Sequence, residues 1–223
     1  MDDIRDEASA GPAVGGAVRR AEAAEAELTT GLVGRYRRHP LVRGAGTVSE
    51  VADQPQLLAV CAGVAAWGLA TGDGRLARCG GHMLASFLLA TWAKGATKGL
   101  VTRSRPNMLA EHGVHEAGLA GRRGGPWSSF PSGHSAGAAA AARAVARHYP
   151  SAAVPAYVAA AGVAAAQVPR CAHYPSDVAA GVLVGLAAEA AAARLLAALA
   201  RTGRGAAVTV DRRSAGSHVR VPQ

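Results

Sequence analysis

The chain has few aromatic residues and few cysteines, and both shortages exclude classes of protein. Aromatic residues make up 4% of the 223 residues although 50% are hydrophobic, so the apolar content is mostly Ala, Val and Leu. Such small side chains let helix backbones pack closely. Cys61, Cys79 and Cys171 are odd in number, far apart and without CxxC spacing. The sequence therefore predicts neither a disulfide framework nor a zinc site.

Basic residues outnumber acidic ones, but their pattern does not indicate a nucleic-acid partner. The formal net charge is +9, and a basic surface attracts polyphosphates. The arginines are scattered between apolar runs, however, and are not interleaved with aromatic residues that stack on bases. Basic residues that flank apolar spans are typical of membrane proteins, where they contact anionic headgroups. We therefore expect a membrane as partner and no nucleic acid.

The two ends of the chain lack long apolar runs. The N-terminus, MDDIRDEASA, has no basic segment followed by an apolar stretch, so no cleavable signal peptide is expected. Residues 1–53 are polar and predict a surface helix or a partly disordered segment. Residues 202–223 are basic and polar and predict a disordered tail. The apolar domain is accordingly assigned to residues 54–201.

This middle region predicts an all-α membrane bundle. None of its apolar segments alternates as a β-strand does. Gly181 and Gly185 have the spacing that allows close helix contact, although general small-residue packing explains them equally well. We expect about five transmembrane helices, with the site at helix ends on one membrane face. The segments are residues 56–72, 79–101, 134–149, 152–168 and 177–200.

Three polar clusters lie at ends of these segments, and the first is KGLVTRSRPN. Lys98 and Arg105 are seven residues apart and share a face if the helix persists. Pro106 disfavours helix at Arg105, so the helix should end about there. Two cations at a helix end can clamp a phosphoryl group. The alternative is the ordinary basic flank of a membrane span.

The second cluster is FPSGHSAG, at the start of an apolar segment. Ser132 follows a proline and is predicted to cap a helix, with Gly133 and His134 in its first turn. Free backbone N–H groups at a helix start bind anions, and a glycine lets a phosphate come close. A histidine there can protonate a leaving oxygen, although a lone histidine at a helix end is more often only solvated.

The third cluster is QVPRCAHYPSDVAAG, residues 167–181. Pro175 suits the first turn of a helix, and Asp177 then falls in the same turn. His173 should lie just outside that helix. An aspartate there can hold one imidazole nitrogen and leave the other free as a nucleophile. A purely structural His–Asp hydrogen bond is the alternative.

Together the three clusters resemble the signature of the type 2 phosphatidic acid phosphatase superfamily, which also includes the vanadium haloperoxidases. The family pattern is K-x6-R-P, then P-S-G-H, then S-R-x5-H-x3-D. The resemblance covers about residues 55–200, and the first two motifs match in full. It implies metal-independent phosphoryl transfer, without a cofactor.

The resemblance also implies a role for each matching residue. His173 would attack phosphorus to form a phosphohistidine, with Asp177 orienting it. His134 would protonate the leaving alcohol and later activate water. The phosphoryl oxygens would be held by Lys98, Arg105, Ser132 and the Gly133 amide.

The third motif departs from the family at its arginine. Counting back from His173, the family's Ser-Arg pair falls on Ala166 and Gln167. Gln167 offers at most a weak, uncharged contact to phosphate. Arg170 is three residues nearer the nucleophile, and its long side chain can enter the same pocket from a different Cα. We therefore expect Arg170 to bind phosphate in place of the missing arginine; the alternative is that it faces headgroups and the site is weak.

The resemblance implies a phosphatase that acts on a lipid phosphomonoester, such as phosphatidate or a polyprenyl phosphate or phosphosugar, in a bacterial inner (plasma) membrane. The side of the membrane on which the site lies and the formation of a homo-oligomer are both left open. A phosphotransferase with the same intermediate is one alternative, and a vanadate-dependent haloperoxidase is another. The third is a non-catalytic lipid-phosphate-binding membrane protein.

Overall fold

The structure, a computed structural model, is mostly helical. It describes residues 12–36, 39–119 and 124–215, so the predictions for residues 1–11 and 216–223 lie outside the described residues. Short 3-10 turns occur at Glu50–Ala52, Gly125–Trp127 and Pro150–Ala152. The longer elements are α1 (Pro12–Tyr36), α2 (Pro40–Ser49), α3 (Gln54–Ala70), α4 (Gly74–Leu100), β1 (Val101–Arg103), α5 (Pro106–His112), β2 (Ala117–Leu119), α6 (Gly133–His148), α7 (Ala153–Ala166) and α8 (Pro175–Ala215).

Helix α6 is the centre of the bundle. It packs against α4, α7 and α8, while α3 packs against α4. Every residue from Ser135 to Ala142 is buried, and nearly all of them are alanine. Because alanine projects little from the helix, neighbouring helices can approach α6 from several sides at once. The larger side chains of the core, including Leu57, Met83 and Phe87, fill the space between α3, α4 and α6.

Helices α6 and α8 come into backbone contact at two glycines of α8. A Cβ at Gly181 would clash with the carbonyl oxygen of Ser132, and a Cβ at Gly185 would clash with that of Ala136. Both positions therefore require glycine for this backbone contact, and general packing of small residues does not account for them. Gly181 also brings the first turn of α8 to the start of α6, where two of the polar clusters lie.

Replacing Gly181 with alanine is expected to lower the free energy of unfolding by about 1 to 3 kcal/mol, because a backbone atom must move to make room. Gly162 is the matched control, since it lies within α7 and has open space around its Cα. Gly162→Ala should instead raise stability by about 0.5 to 1 kcal/mol through helix propensity. Thermal unfolding in detergent compares the two variants. Equal stability of both would contradict the close contact.

Among the described residues, one helical stretch, Pro175–Thr202, is long and apolar enough to cross a membrane. The apolar helices Gln54–Ala70 and Pro150–Ala166 are shorter. The number of membrane spans therefore stays a prediction. Helix α8 also continues to Ala215, where the sequence predicts a disordered tail. No proline interrupts the chain between Pro175 and Ala215, so nothing in the backbone forces the helix to stop at residue 202.

The connection between α4 and α6 corrects two predictions. Helix α4 ends at Leu100, before Arg105, so Lys98 and Arg105 do not share one helix face. The β-branched residues Val101 and Thr102 instead pair with β2 as an antiparallel strand. The fold is thus mostly helical, and this connection adds a short two-stranded antiparallel sheet that the all-α prediction does not include. Pro106 begins α5, which leaves Arg105 at its N-cap position.

Candidate active site

The third polar cluster folds as a tight turn between α7 and α8. The carbonyl oxygen of Gln167 accepts hydrogen bonds from the backbone N–H groups of Ala172 (3.1 Å) and His173 (3.3 Å). Helix α8 then begins at Pro175, so His173 lies outside the helix and Asp177 in its first turn, as the sequence predicts. Both side chains are buried.

The carboxylate of Asp177 is surrounded by hydrogen-bond donors. Its Oδ1 accepts from a guanidinium nitrogen of Arg103 at 2.7 Å. Its Oδ2 accepts from Ser129 Oγ at 2.5 Å and from the backbone N–H of Tyr174 at 2.9 Å. Charged hydrogen bonds of this kind are the stronger ones, so the orientation of Asp177 is well determined.

His173 faces Asp177 through one ring nitrogen. Its Nδ1 lies 3.8 Å from Asp177 Oδ2, which is longer than a hydrogen bond but close enough for electrostatic attraction. This Nδ1 is buried and makes no hydrogen bond in the described part of the chain. Burial lowers the pKa of His173, Asp177 opposes that shift, and the charges of Arg105 and Lys98 lower the pKa further. The imidazole is therefore held neutral, as a nucleophile requires.

The family resemblance implies that His173 attacks phosphorus, and its lowered pKa then predicts that activity persists to lower pH than is usual for histidine. A protonated imidazole cannot attack phosphorus, so kcat/KM should fall as the pH drops through this pKa. Because the pKa is lowered from 6.5, the midpoint of the fall should lie below pH 6.5. A profile of phosphate release between about pH 5 and 8 tests this. An acid limb centred at or above pH 6.5 would contradict it.

The second cluster forms the start of α6, as the sequence predicts. Ser132 is the N-cap residue, and its Oγ accepts from the N–H of Ser135 at 3.4 Å and from its Oγ at 2.9 Å. The backbone N–H of Ser132 donates to the carbonyl oxygen of Asp177 at 2.9 Å, which ties the starts of α6 and α8 together. Gly133 and His134 lie in the first turn, where free N–H groups favour an anion.

His134 lies near both His173 and an acidic residue. It is within electrostatic range of His173 and Arg105. Its Nε2 lies 3.5 Å from Oδ1 of Asp53, just before α3. Burial lowers the pKa of His134, and the carboxylate of Asp53 opposes that shift by favouring the protonated imidazole that a general acid requires.

The cations of the first cluster converge on the same place although they lie on different elements. Lys98 Nζ donates to the carbonyl oxygen of Ser128 at 2.5 Å. The Nε of Arg105 is buried without a hydrogen-bond partner in the described part of the chain. Lys94, which the sequence motif does not include, lies against Gly133 and donates to Gln54 at 3.1 Å. The site thus gathers several cations around the start of α6.

Gln167 and Arg170 reach the same hydroxyl group from different backbone positions. Gln167 is fully buried, and its Nε2 donates to Val163 O at 3.0 Å and lies 3.4 Å from Ser49 Oγ. A guanidinium nitrogen of Arg170 donates to the same Ser49 Oγ at 2.8 Å, and another lies 3.3 Å from Glu50. Arg170 is also within electrostatic range of His134.

Sequence reasoning missed Arg103 and Ser129, the two side chains that hold Asp177. Both lie close to motif residues, since Arg103 precedes Arg105 by two residues and Ser129 precedes Ser132 by three. That closeness could have indicated that they belong to the site. Neither spacing by itself indicates a contact with a residue of α8. Within residues 12–36, 39–119 and 124–215, no three His, Cys, Asp or Glu side chains group as ligands for a metal ion.

A family model described as the PAP2 superfamily matches residues 80–201, more than half of the chain. This chain belongs to the PAP2 superfamily. The match contains all three polar clusters in the order that the site requires. No curated protein matches the sequence.

Two solved structures share this PAP2 fold at low sequence identity. LpxE of Aquifex aeolicus is 18% identical, with a TM-score of 0.57 over 75% of this chain and 93% of its own. The transmembrane PAP2-type phosphatidylglycerolphosphate phosphatase of Bacillus subtilis is 20% identical, with a TM-score of 0.55 over 79% of this chain and 86% of its own. This PAP2 chain therefore shares their fold over most of its length.

Proposed function

We propose that this PAP2 protein is a membrane phosphatase that hydrolyses a lipid phosphomonoester through a phosphohistidine intermediate. The observation that carries the proposal is the pairing of buried His173 with Asp177 beside the helix start that Ser132 caps. The turn before α8 supplies a nucleophile, His173, and the start of α6 supplies an anion site. The backbone hydrogen bond between Ser132 and Asp177 holds the nucleophile and the anion site in a fixed position relative to each other.

In the proposed first step, His173 attacks phosphorus. Because Nδ1 faces Asp177, the attacking atom is Nε2. The P–O bond to the lipid breaks, and the leaving oxygen takes a proton from His134. Positive charge on the imidazole is stabilised by Asp177. The negative charge on the phosphoryl oxygens is stabilised by Lys98 and Arg105.

The second step returns the protein to its starting state. Water attacks the phosphohistidine and gives up a proton to His134. The P–N bond breaks, inorganic phosphate leaves, and His173 is neutral again. The N–H groups at the start of α6, with Ser132 and Gly133, hold the phosphoryl oxygens in both steps. The residues of this chain provide every proton transfer, and we propose that no metal takes part.

The proposed substrate carries its phosphate on a lipid. The apolar stretch Pro175–Thr202 begins beside His173, so a lipid tail along this helix brings its headgroup to the site. The name of the similar Bacillus subtilis structure, a phosphatidylglycerolphosphate phosphatase, agrees with lipid phosphate as the class of substrate. Phosphatidate and polyprenyl phosphates or phosphosugars are the members we propose to test, and a bacterial inner membrane is the proposed location.

Phosphate release from a panel of these lipids, in detergent with a chelator present, tests the function. The wild type should release inorganic phosphate without an added acceptor alcohol. Release that depends on an acceptor would identify a phosphotransferase. Halide oxidation in the presence of vanadate would identify a haloperoxidase. Binding of lipid phosphate without any turnover would overturn the enzyme proposal.

Arg170 is proposed to supply the phosphate contact that Gln167 lacks. Arg170→Ala should reduce kcat/KM by about ten- to a hundred-fold, since a charged hydrogen bond to phosphate contributes about 1.5 to 3 kcal/mol. Gln167→Arg in the same background should restore part of the loss, because both side chains reach Ser49. The panel assay measures all three proteins. Near-wild-type activity of Arg170→Ala would end the compensation hypothesis and leave the phosphatase proposal intact.

A further inference from the structure

Glu25 of α1 contacts the catalytic end of the bundle although it lies far from the motifs in sequence. Its Oε2 accepts from a guanidinium nitrogen of Arg103 at 2.7 Å and from Ser176 Oγ at 2.8 Å. Its Oε1 accepts from the backbone N–H of Ser176 at 2.5 Å. Ser176 lies in the first turn of α8, directly before Asp177. One carboxylate therefore touches both the partner of Asp177 and the helix start that carries it.

Arg103 joins the two carboxylates. One of its terminal nitrogens pairs with Glu25 and the other with Asp177, both at 2.7 Å. The guanidinium also lies over the ring of Tyr174, 4.4 Å from its centre. Because the guanidinium is planar and rigid, a shift of one terminal nitrogen also moves the other. Glu25 therefore helps to set the position of the nitrogen that binds Asp177.

An ordinary surface ion pair does not account for these contacts. The side chains of Arg103 and Glu25 are only 7% and 15% exposed, so water screens them weakly. Removing one partner of such a pair leaves a buried charge unbalanced. Glu25 also accepts an N–H of the α8 first turn, where a negative charge is favourable.

The rest of the contact between α1 and the β1–β2 sheet is incomplete. A cavity of about 870 Å³ lies between them, lined mainly by apolar residues such as Leu28 and Leu119, and Glu25, Arg103 and Ser176 lie at its wall. Packing in this region therefore constrains α1 loosely. The polar contacts of Glu25 are specific in comparison, because they fix a side chain against two elements at once.

We infer that Glu25 is a positioning residue for the reaction: through Arg103 and Ser176 it holds the carboxylate of Asp177 in the orientation that His173 needs. This inference rests on the proposed phosphatase function. Glu25 touches neither His173 nor the phosphoryl site in the contacts above, so its effect passes through other side chains. It should therefore change the rate of the chemical step more than the binding of substrate.

Glu25→Gln tests the inference, with Glu27→Gln as the matched control. Both changes remove one negative charge from α1 at constant size, but Glu27 is exposed. Glu25→Gln should lower kcat by about ten-fold and leave KM within about two-fold, because a small displacement of a catalytic group reduces the rate. Glu27→Gln should match the wild type in both. Thermal unfolding of each protein checks that all the variants compared are folded.

A second pair of variants shows whether the effect passes through Arg103. In an Arg103→Ala background, Glu25→Gln should lower kcat less than in the wild type, since the link through Arg103 is already absent and only the contact with Ser176 remains. If Glu25→Gln does not fold, Glu25→Asp takes its place: it keeps the charge, shortens the reach, and should show the same loss of kcat.

The outcomes separate the inference from the proposed function. An active wild type whose Glu25→Gln variant matches Glu27→Gln would overturn the role of Glu25 alone. An equal fall of kcat in the Arg103→Ala background would overturn the route through Arg103. A wild type that is inactive on every lipid phosphate would overturn the phosphatase proposal, and the positioning role with it.

Discussion

Replacing His173 with alanine should reduce phosphate release by about 10⁴-fold or more, because no other side chain can then form the covalent intermediate. His173 is 3% exposed and lies in a short turn, so the loss of the ring leaves a small cavity. The variant should remain folded. Steady-state kinetics on a lipid phosphate, with thermal unfolding of the same samples, measures both effects.

His112→Ala is the matched control for this experiment. His112 is an exposed histidine in the last turn of α5, near the same end of the bundle. Its replacement should leave kcat and KM within about two-fold of the wild type. If His173→Ala keeps more than a tenth of the wild-type rate, His173 is not the nucleophile.

Asp177→Asn should reduce kcat by about 10³-fold although it keeps the size of the side chain. Within the described residues, the hydrogen bonds of the Asp177 carboxylate come from donors: Arg103, Ser129 and the Tyr174 N–H. An asparagine amide presents a donor of its own on one side, so one of these contacts becomes a donor facing a donor. The loss of charge also removes the stabilisation of the imidazolium.

Asp73→Asn controls for the general effect of removing an aspartate. Asp73 caps α4, where its side chain accepts the N–H groups of Arg75 and Leu76, and asparagine caps helices about as well. It lies at the opposite end of α4 from Lys98, so kcat should not change. The charge and orientation of Asp177 are not needed if Asp177→Asn retains activity within ten-fold of this control.

The motif residues could be placed from the sequence because local rules determine their positions. Ser132 caps α6, and Asp177 lies in the first turn of α8, since capping and proline preferences act within a few residues. The helix end near Lys98 was predicted less well. Proline at residue 106 suggested a helix up to Arg105, whereas pairing of β1 with β2 ends α4 at Leu100. Strand pairing depends on residues farther along the chain, so local propensity could not show it.

The roles of Gln167 and Arg170 show the same limit. Their spacing from His173 is evident from the sequence, and it shows that the family arginine is absent at residue 167. Contact of both side chains with Ser49 is a tertiary fact, because Ser49 lies more than a hundred residues earlier. Whether Arg170 binds phosphate is a matter for the Arg170→Ala experiment.

By itself, the sequence determined the family, the helical class and the order of the three polar clusters, because each depends on residue types at short, regular spacings. The tertiary structure alone decided which residues surround Asp177. Arg103 lies 74 residues from Asp177 and 78 from Glu25, and no periodic pattern connects positions so far apart. Only the folded arrangement of α1, β1 and α8 brings their charges within 2.7 Å, where burial makes the attraction strong.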